Sequence, residues 1–478
     1  MRKYFIMNIH QQFDNMIYWS LLLHLYQPPT QTLEVLDRIC NECYRPLIKV
    51  FKENENARVT MNICGSLTEQ LERYGYDDII SGLGELADLG RIEFTGSAKY
   101  HPILPLIPES EMRRQIHINY KTNSHAFGNV YKPEGFFPPE MCYSKNIIPA
   151  VLHSGHKWII LAGIGCPEGW PVDVLHTTET RDGRLHVFYR DDYLSNAISF
   201  NNIQGGQKYV SHLRDMFRTY LKGETDEGNY YVITAMDGET FGHHIKNADK
   251  TFLDSTFKAL KEETKKSKEN ENAEKETNKE NKKKSEKKDD EERKKNHGNE
   301  MEEEQKKREK ATEKVEMVHI SELIDLFRTV KVVEPRQSSW STTQDDILRN
   351  NPYPLWKSPE NRLHELQWTH LSICIDLVNE ATNLSNNHES KRYADHSRNL
   401  LDKALHSCQF WWASRRPWWD INMIFRGLQE QQEVLINAYK AIQSSTIDEA
   451  TKKQMLYYRV LSAMYISNNI TEILLSIF

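Results

Sequence analysis

The sequence predicts an α/β protein in which a barrel of parallel strands precedes an all-helical domain. Before residue 260, short apolar runs alternate with amphipathic segments, an alternation typical of parallel strands joined by right-handed helical crossovers. About seven such strands suggest a closed or nearly closed barrel. From residue 360 onward the apolar residues recur with the period of a helix. The 478-residue chain is long enough for two or three domains.

The predicted strands are rich in β-branched and aromatic residues, which favour buried, pleated structure. These strands span Ile17–Leu23, Arg58–Ile63, Arg91–Phe94, Gly135–Phe137, Lys157–Leu161, Leu185–Tyr189 and Tyr230–Ala235. The helices predicted between them are Thr32–Lys52, Asp77–Leu89, Glu109–Phe127, Lys145–Ser154 and Gln207–Leu221. Later in the chain, Ile320–Phe327 is predicted to be helical and Val330–Val333 to be a final strand.

Four units follow from these patterns. Residues 1–259 form the predicted barrel, 260–316 a charged insertion, 317–359 a segment that completes the barrel, and 360–478 the helical domain. The insertion is almost entirely Lys, Glu, Asn and Asp, so it cannot bury enough apolar surface to offset the entropy of ordering. It is predicted to be disordered or a lone charged helix, with a localisation or nucleic-acid patch as the alternative.

The net charge and the cysteine content indicate which partners and which cellular compartment to expect. The formal net charge of -6 argues against nucleic acid or an anionic membrane as a partner. No apolar run reaches membrane-spanning length, and the short run at 18–24 lacks a signal-peptide cleavage site. Cys40 and Cys43 have redox or zinc spacing, but no second pair accompanies them, so core positions are favoured. The seven cysteines are an odd number, which is typical of a reducing compartment, and we expect a cytoplasmic protein.

Polar side chains collect after four of the predicted strands, at the end where barrels bind their ligands. Any one of these strand ends could be a structural turn, and a lone histidine is more often a core residue. Four convergent ends are harder to explain in that way. The candidate residues at these ends are His24, Tyr26, Gln27, His101, Glu140, Asp237, Glu239, His243 and His244.

Glu140 and Asp237 suit a catalytic pair of carboxylates. Pro138 and Pro139 fix the backbone before Glu140, which suits a carboxylate that points into a pocket. Glycoside hydrolysis with retention needs one carboxylate as nucleophile and one as proton donor, about 5–5.5 Å apart. The donor keeps its proton near neutral pH only if its pKa is raised. We expect burial and the neighbouring Glu239 or ionised Glu140 to raise the pKa of Asp237.

The same residue types are also plausible ligands for zinc or a similar ion. A metal-dependent hydrolase, such as a deacetylase, would use His24, Asp237 and one of His243 or His244. The residue types alone fit both the glycosidase and the metal-dependent hydrolase.

Two tryptophan-containing segments follow the barrel. Trp340 comes after the last predicted strand and is expected to return to the pocket. Trp418 belongs to a stretch, Phe410–Trp419, that contains four tryptophans. Aromatic faces bind the apolar faces of sugars, although Trp411 and Trp412 are equally explained by packing between helices.

Four blocks in chain order resemble those of glycoside hydrolase family 57. The blocks are His24-Leu-Tyr-Gln-Pro, Arg91-Ile-Glu-Phe-Thr-Gly, Phe137-Pro-Pro-Glu140 and Met236-Asp237-Gly-Glu-Thr-Phe-Gly-His-His. The resemblance covers roughly residues 18–244 and resumes at 338. It implies a distorted (β/α)7 barrel with a C-terminal helical domain and retaining activity on α-glucans, as in α-amylases, 4-α-glucanotransferases and branching enzymes. No metal or other cofactor is expected.

Matching positions assign roles within this resemblance. Glu140 would be the nucleophile, Asp237 the general acid/base, and His24 a contact to sugar hydroxyls. The predicted substrate-binding set is His24, Tyr26, Gln27, His101, Glu239, His243, Trp340 and Trp418. The family usually has His where this chain has Tyr26, whose hydroxyl can bond a sugar but cannot carry charge. Hydrolysis and transfer are not separated by the sequence, and a non-catalytic glucan-binding protein is a third alternative.

Overall fold

A computed structural model describes residues 16–168, 172–220, 229–266 and 314–476, and its strands follow the predicted alternation. The strands are β1 (Met16–Leu25), β2 (Val59–Ile63), β3 (Ile92–Gly96), β4 (Gly135–Phe136), β5 (Trp158–Leu161), β6 (Leu175–Thr180), β7 (Gly183–Tyr189), β8 (Tyr230–Asp237), β9 (Lys314–Met317) and β10 (Val330–Val332). β1 is buried along almost its whole length, as expected for a strand covered on both faces of a parallel sheet.

Seven parallel strands form the barrel, in the order β8, β1, β2, β3, β4, β5 and β7. The two end strands of this row also meet. The amide of Asp191, just after β7, donates to the carbonyl of Ile233 in β8 at 2.7 Å. Arg190 adds a bond from Nη1 to the carbonyl of Ala235 at 3.1 Å. The prediction of a distorted (β/α)7 barrel is confirmed.

Three further strands extend the sheet. β6 pairs antiparallel with β7 and parallel with β10. β9 pairs with the first residues of β1, ahead of the part of β1 that pairs with β2. The predicted insertion extends to residue 316, but β9 already begins at Lys314. Residues 260–266 of that insertion are helical, and residues 267–313 lie outside the described residues.

The helices around the barrel alternate with the strands. They are α1 (Leu33–Ile39), α2 (Arg45–Glu53), α3 (Gly65–Arg73), α4 (Asp77–Asp88), α5 (Glu109–Phe127), α6 (Ile148–His153), α7 (Asp192–Ser199), α8 (Gln207–Tyr220) and α9 (255–266). The single helix predicted over Thr32–Lys52 is α1 and α2 joined by a π-helical turn, Cys40–Tyr44. Pro46 follows this turn and has no N–H to continue the regular ladder. Cys40 and Cys43 are buried free thiols, as predicted.

The remaining helices form the segment after β9 and the helical domain. They are α10 (Leu323–Leu326), α11 (Gln344–Leu348), α12 (Arg362–Leu384), α13 (His388–Ala404), α14 (Cys408–Trp411), α15 (Ile421–Ser444) and α16 (Glu449–Leu475). None of the helices described is both long and apolar enough to cross a membrane.

The helical domain packs directly on the barrel. Leu371 and Leu401 share one hydrophobic core with Phe136 of β4. The guanidinium of Arg114 on α5 holds both carboxylate oxygens of Asp402 on α13, at 2.7 and 2.6 Å. This packing brings the turn between α13 and α14 to the carboxyl end of the barrel strands.

Candidate active site

Glu140 lies on a strained turn directly after β4. The chain leaves the strand through two prolines and enters a short 3₁₀ turn, Pro139–Met141. Glu140 and Met141 have φ values of 58° and 48°, in the left-handed region that non-glycine residues seldom adopt. Such a conformation costs about 1–3 kcal/mol and is concentrated at functional sites. The turn therefore holds the Glu140 side chain at the end of the strand.

Both carboxylate oxygens of Glu140 accept hydrogen bonds from segments outside the barrel strands. Trp340 Nε1 donates to Oε2 at 2.9 Å, and Ser407 Oγ donates to Oε1 at 3.3 Å. The Trp340 amide also donates to the Glu140 carbonyl at 3.1 Å. Trp340 was predicted from the sequence, whereas Ser407 was not. The side chain of Glu140 is 16% exposed, so it faces a pocket with limited access to water.

His101 supports the serine that contacts Glu140. Its Nδ1 lies 3.1 Å from Ser407 Oγ and 3.5 Å from Glu140 Oε1. Because the single hydroxyl proton of Ser407 points to Glu140, Nδ1 of His101 has to be the donor to Ser407 Oγ. Burial strongly lowers the pKa of His101, which keeps the ring neutral. The Ser407 amide donates to the His101 carbonyl at 3.1 Å, so backbone and side chain lock the two residues together.

Burial and the charge of Asp237 raise the pKa of Glu140 to about 8. The hydrogen bonds from Trp340 and Ser407 act in the opposite direction, because they stabilise the ionised carboxylate. The raised pKa falls on the residue predicted to be the nucleophile.

Asp237 is the last residue of β8 and pairs in register with His24 of β1. Gly238 follows it, and a Cβ at that position would lie 2.2 Å from Leu25 Cδ2. Glycine therefore allows the turn after β8 to lie against β1. Among the residues that the structure describes, no side chain hydrogen-bonds the Asp237 carboxylate. The two carboxylates thus have different surroundings.

Glu239 is buried behind Asp237. Tyr44 donates to its Oε1, and Gln27 Nε2 donates to the same oxygen at 3.0 Å. Burial and the charge of Asp237 raise the pKa of Glu239 to about 8, so it is mostly protonated near neutral pH. The anionic role predicted for Glu239 does not fit this environment. Tyr44, which the sequence did not single out, and Gln27 hold Glu239 in place.

His24 forms the centre of an aromatic stack between the two carboxylates. Its ring stacks on Phe137 with centroids 4.6 Å apart and on His101 at 4.9 Å. Its Nδ1 lies 2.7 Å from Oδ1 of Asn62 in β2, another residue that sequence reasoning missed. Burial lowers the pKa of His24 despite the nearby charge of Asp237. A neutral ring with Nδ1 engaged leaves Nε2 for a ligand.

Tyr26 also stacks on His101 and lies beside His24, with the Tyr26 and His24 ring centroids 6.0 Å apart. The Tyr26 and His101 ring centroids are 4.1 Å apart, and the Tyr26 hydroxyl is 3.5 Å from Cys408 Sγ at the start of α14. Burial raises the pKa of Tyr26 well above its usual value, so it remains neutral. Tyr26 therefore joins the first barrel strand to the helical domain.

Two predicted contacts lie elsewhere. His243 Nδ1 is 2.7 Å from Glu42 Oε2 on the π-helical turn, so that nitrogen is engaged away from the two carboxylates. Burial lowers the pKa of the neighbouring His244, and the charge of Asp237 acts in the opposite direction. Trp418 is 52% exposed and packs on Trp411. Substrate contacts by His243 and Trp418 stay predictions.

The pocket contains one group of possible metal ligands among the described residues. His24, Cys64 and His101 offer ligand atoms that lie within 4.8 Å of one another. However, the two imidazoles are stacked at an interplanar angle of 23°. An ion bound in the plane of one ring at about 2.0–2.1 Å would lie off the plane of the other. This arrangement does not fit a shared ion, and it differs from the predicted set with Asp237.

Comparison with known proteins places this geometry in a family. The sequence profile of glycosyl hydrolase family 57 matches residues 4–285, which is more than half of the chain. The chain belongs to glycosyl hydrolase family 57. An α-amylase from Pyrococcus horikoshii is 28% identical over 228 residues, 46% of this chain and 33% of that protein. A 4-α-glucanotransferase from Thermococcus litoralis is 23% identical over 228 residues, 46% of this chain and 32% of that protein. The chain spans about a third of the length of these curated relatives.

Solved structures of family 57 share the fold over nearly the whole chain. An α-amylase from Thermotoga maritima superimposes with a TM-score of 0.60 and 16% identity, covering 95% of this chain and 97% of that one. A family 57 branching enzyme from Thermococcus kodakaraensis gives a TM-score of 0.62 and 15% identity, covering 92% and 94%. The barrel and the helical domain are therefore both features of this fold.

Proposed function

We propose that this protein is a retaining glycosidase that acts on α-glucans, by hydrolysis or by 4-α-glucanotransfer. One observation carries the proposal: Glu140 and Asp237 end two strands of the same barrel, and the charge of Asp237 acts on the buried Glu140. Two carboxylates at one pocket are the groups that double displacement requires. The named activities of the curated relatives support α-glucans as the substrate class.

In the first step, ionised Glu140 attacks the anomeric carbon. A bond forms between its carboxylate oxygen and that carbon as the glycosidic C–O bond breaks. Asp237 gives a proton to the leaving oxygen, which departs as a sugar hydroxyl. The donors Trp340 and Ser407 favour the ionised form of Glu140 and hold it in position.

In the second step, Asp237 acts as the base. It takes a proton from water or from a sugar hydroxyl, and the resulting oxygen attacks the anomeric carbon as Glu140 leaves as a carboxylate. Water gives hydrolysis and a sugar hydroxyl gives transfer. The carboxyl separation of about 5–5.5 Å that retention needs stays a prediction.

Because the pKa of Glu140 is raised to about 8, its ionised, nucleophilic form increases as the pH rises towards that value. The hydrogen bonds from Trp340 and Ser407 favour this ionised form. Asp237, which receives no such side-chain bond from the described residues, is the proposed proton donor.

The aromatic groups around the pocket suit a sugar substrate. Nε2 of His24 remains for a sugar hydroxyl, and the rings of Tyr26 and Trp340 border the same space. Trp418, with Trp411 and Trp412, offers an exposed aromatic surface for further glucose units. Gln27 and His101 complete the proposed contacts.

The proposal includes a cytoplasmic protein whose barrel, residues 1–259 and 317–359, is interrupted by a charged insertion. All of the cysteines except Cys408 are buried, and Cys40, Cys43, Cys64, Cys142, Cys374 and Cys408 form no disulfide within the part of the chain that the structure describes. Thiols that remain reduced are typical of a reducing compartment.

Incubation with maltoheptaose tests the proposal, with products followed by size and by proton magnetic resonance of the new anomeric centre. We expect the α-anomer to appear first, in the presence or absence of EDTA. Shorter products alone would mean hydrolysis, and longer products would mean transfer. Initial release of the β-anomer would contradict retention. Binding without turnover, or turnover abolished by EDTA, would contradict the two-carboxylate mechanism.

A further inference from the structure

A cavity of about 430 Å³ lies beside the N-terminus of α12. Its walls come from α11 and the segment after it, from the start of α12, from the loop between α14 and α15 and from Ile473 of α16. None of the residues that line it belongs to the active site described above. The lining includes four arginines, Arg349, Arg362, Arg415 and Arg416, and two carboxylates, Asp346 and Glu360. The charged side chains of the wall therefore carry an excess of positive charge.

One of these arginines is fixed by a buried carboxylate. Arg416 binds Asp346 through two parallel bonds, Nη1 to Oδ1 at 2.7 Å and Nη2 to Oδ2 at 3.1 Å. Asp346 is buried and also caps α11 through Thr343. The pair is thus a rigid, neutral part of the wall rather than the source of its charge.

Two other guanidinium groups have no carboxylate partner in the part of the chain that the structure describes. Arg349 is exposed at the end of α11. Arg415 lies over the ring of Trp419 with its guanidinium carbon 4.6 Å from the ring centroid. Its amide donates to the Trp418 carbonyl at 2.9 Å, and its φ of 56° is in the left-handed region. Stacking and backbone geometry therefore hold Arg415 while its donors remain available.

The cavity wall also contains the positive end of a long helix. α12 has 23 residues, begins at Arg362 and is capped by the side chain of Asn361. The dipole of such a helix favours an anion near its first turn. The helix end therefore adds to the positive field of the unpaired arginines.

We propose that this cavity binds a phosphorylated sugar. Arginine donors in a fixed fork suit phosphate oxygens, and Arg349 and Arg415 would hold that group. The volume is much larger than a phosphate needs and falls in the usual range of small-molecule sites, about 300–1,000 Å³. Asn351 and Ser358 line the remaining space and offer amide and hydroxyl groups to a polyol, whereas the hydroxyl of Ser414 is bonded to the backbone of Arg416. This site is independent of the proposed glucan activity.

Calorimetric titration at a fixed ionic strength tests the site with three probes: glucose 6-phosphate, inorganic phosphate and glucose. We expect glucose 6-phosphate to bind with a dissociation constant below about 1 mM, and tighter than either of the other two. The double variant Arg349→Ala/Arg415→Ala, which leaves the Arg416–Asp346 pair intact, should bind it at least about tenfold more weakly.

Arg392→Ala is the matched control, because Arg392 stacks on Tyr393 in the same domain and does not line the cavity. It should bind glucose 6-phosphate like the wild type. Thermal unfolding of each variant checks that the fold is retained. Inorganic phosphate binding as tightly as glucose 6-phosphate would overturn the assignment of a sugar ligand. Equal binding by the double variant and the wild type, or no binding at all, would overturn the site.

Discussion

The ends of β4 and β8 each supply one carboxylate to the same pocket, but only one of the two is surrounded by hydrogen-bond donors. Glu140, after β4, accepts bonds from Trp340 and Ser407, which lie 200 and 267 positions away in sequence. Asp237, at the end of β8, receives no such bond from any side chain described. The barrel therefore provides both acids, and the later part of the chain makes them unequal. We infer that this inequality selects the nucleophile.

The largest expected effect comes from the carboxylates themselves. Glu140→Gln and Asp237→Asn should each lower kcat/KM on maltooligosaccharides by at least about 10²-fold, the low end for acid–base catalysis. α-Maltosyl fluoride distinguishes the roles of the two carboxylates, because its fluoride leaving group needs no proton. The first step on this substrate should survive in Asp237→Asn and not in Glu140→Gln. Steady-state and burst kinetics measure both effects.

Glu134→Gln is the control, since this carboxylate is exposed and pairs with Lys157. It should retain wild-type kinetics. If Glu140→Gln cleaves the fluoride as fast as Asp237→Asn does, the proposed roles of the two carboxylates are wrong.

The second effect concerns stability and pH. The pKa of Glu239 in the folded protein is about 8, compared with about 4.3 in an unfolded chain. A pKa that is raised in the folded state stabilises the folded protein. This stabilisation is complete at pH values below the pKa of the unfolded chain, and it is lost as the pH rises through about 8. We expect Glu239 to contribute a loss on the order of 4 kcal/mol in unfolding free energy between pH 4 and pH 8.

Glu239→Gln mimics the protonated acid, so it should remove the pH-dependent loss of unfolding free energy that comes from Glu239. The loss that comes from Glu140 should remain. Urea unfolding at several pH values measures the difference between the variant and the wild type. An equally steep fall in both proteins would show that Glu239 is not held protonated by its surroundings.

The third and smallest effect comes from the donors to Glu140. Trp340→Phe and Ser407→Ala each remove one hydrogen bond to the ionised form, which should lower kcat about tenfold. Loss of either donor also raises the pKa of Glu140, so the acidic limb of the profile of kcat/KM against pH should move to higher pH. Ser407→Thr keeps the hydroxyl and should behave like the wild type. Lower activity with an unmoved profile would mean that the two donors act only on local structure.

Most of the barrel was predictable because its strands are apolar and directly followed by polar residues. β6 was missed because its sequence, Leu175–Thr180, is largely polar and lies in an antiparallel extension of the sheet. β9 was missed because it follows a charged tract and has only two buried side chains. The helices α3 and α7 are short and were not predicted. In these elements, tertiary pairing outweighs the local pattern.

The residues of the candidate site are likewise of two kinds: those that the sequence predicts and those whose positions depend on tertiary packing. Glu140 and Asp237 could be selected because each comes immediately after a strand. Ser407 has no distinguishing neighbours, and its approach to Glu140 depends on how α13 and α14 pack against the barrel. His243 and His244 could not be told apart, because their directions depend on the turn at Gly242, where φ is 120°.

The central claim is that Glu140 is the nucleophile and Asp237 the acid and base. Asp237→Asn incubated with α-maltosyl fluoride, quenched in acid, digested and analysed by peptide mass spectrometry tests it most directly. The first step should proceed and the second should be slow, so the peptide that contains Glu140 should gain one maltosyl unit. A maltosyl unit on any other residue, or β-maltose released without an adduct, would contradict the account.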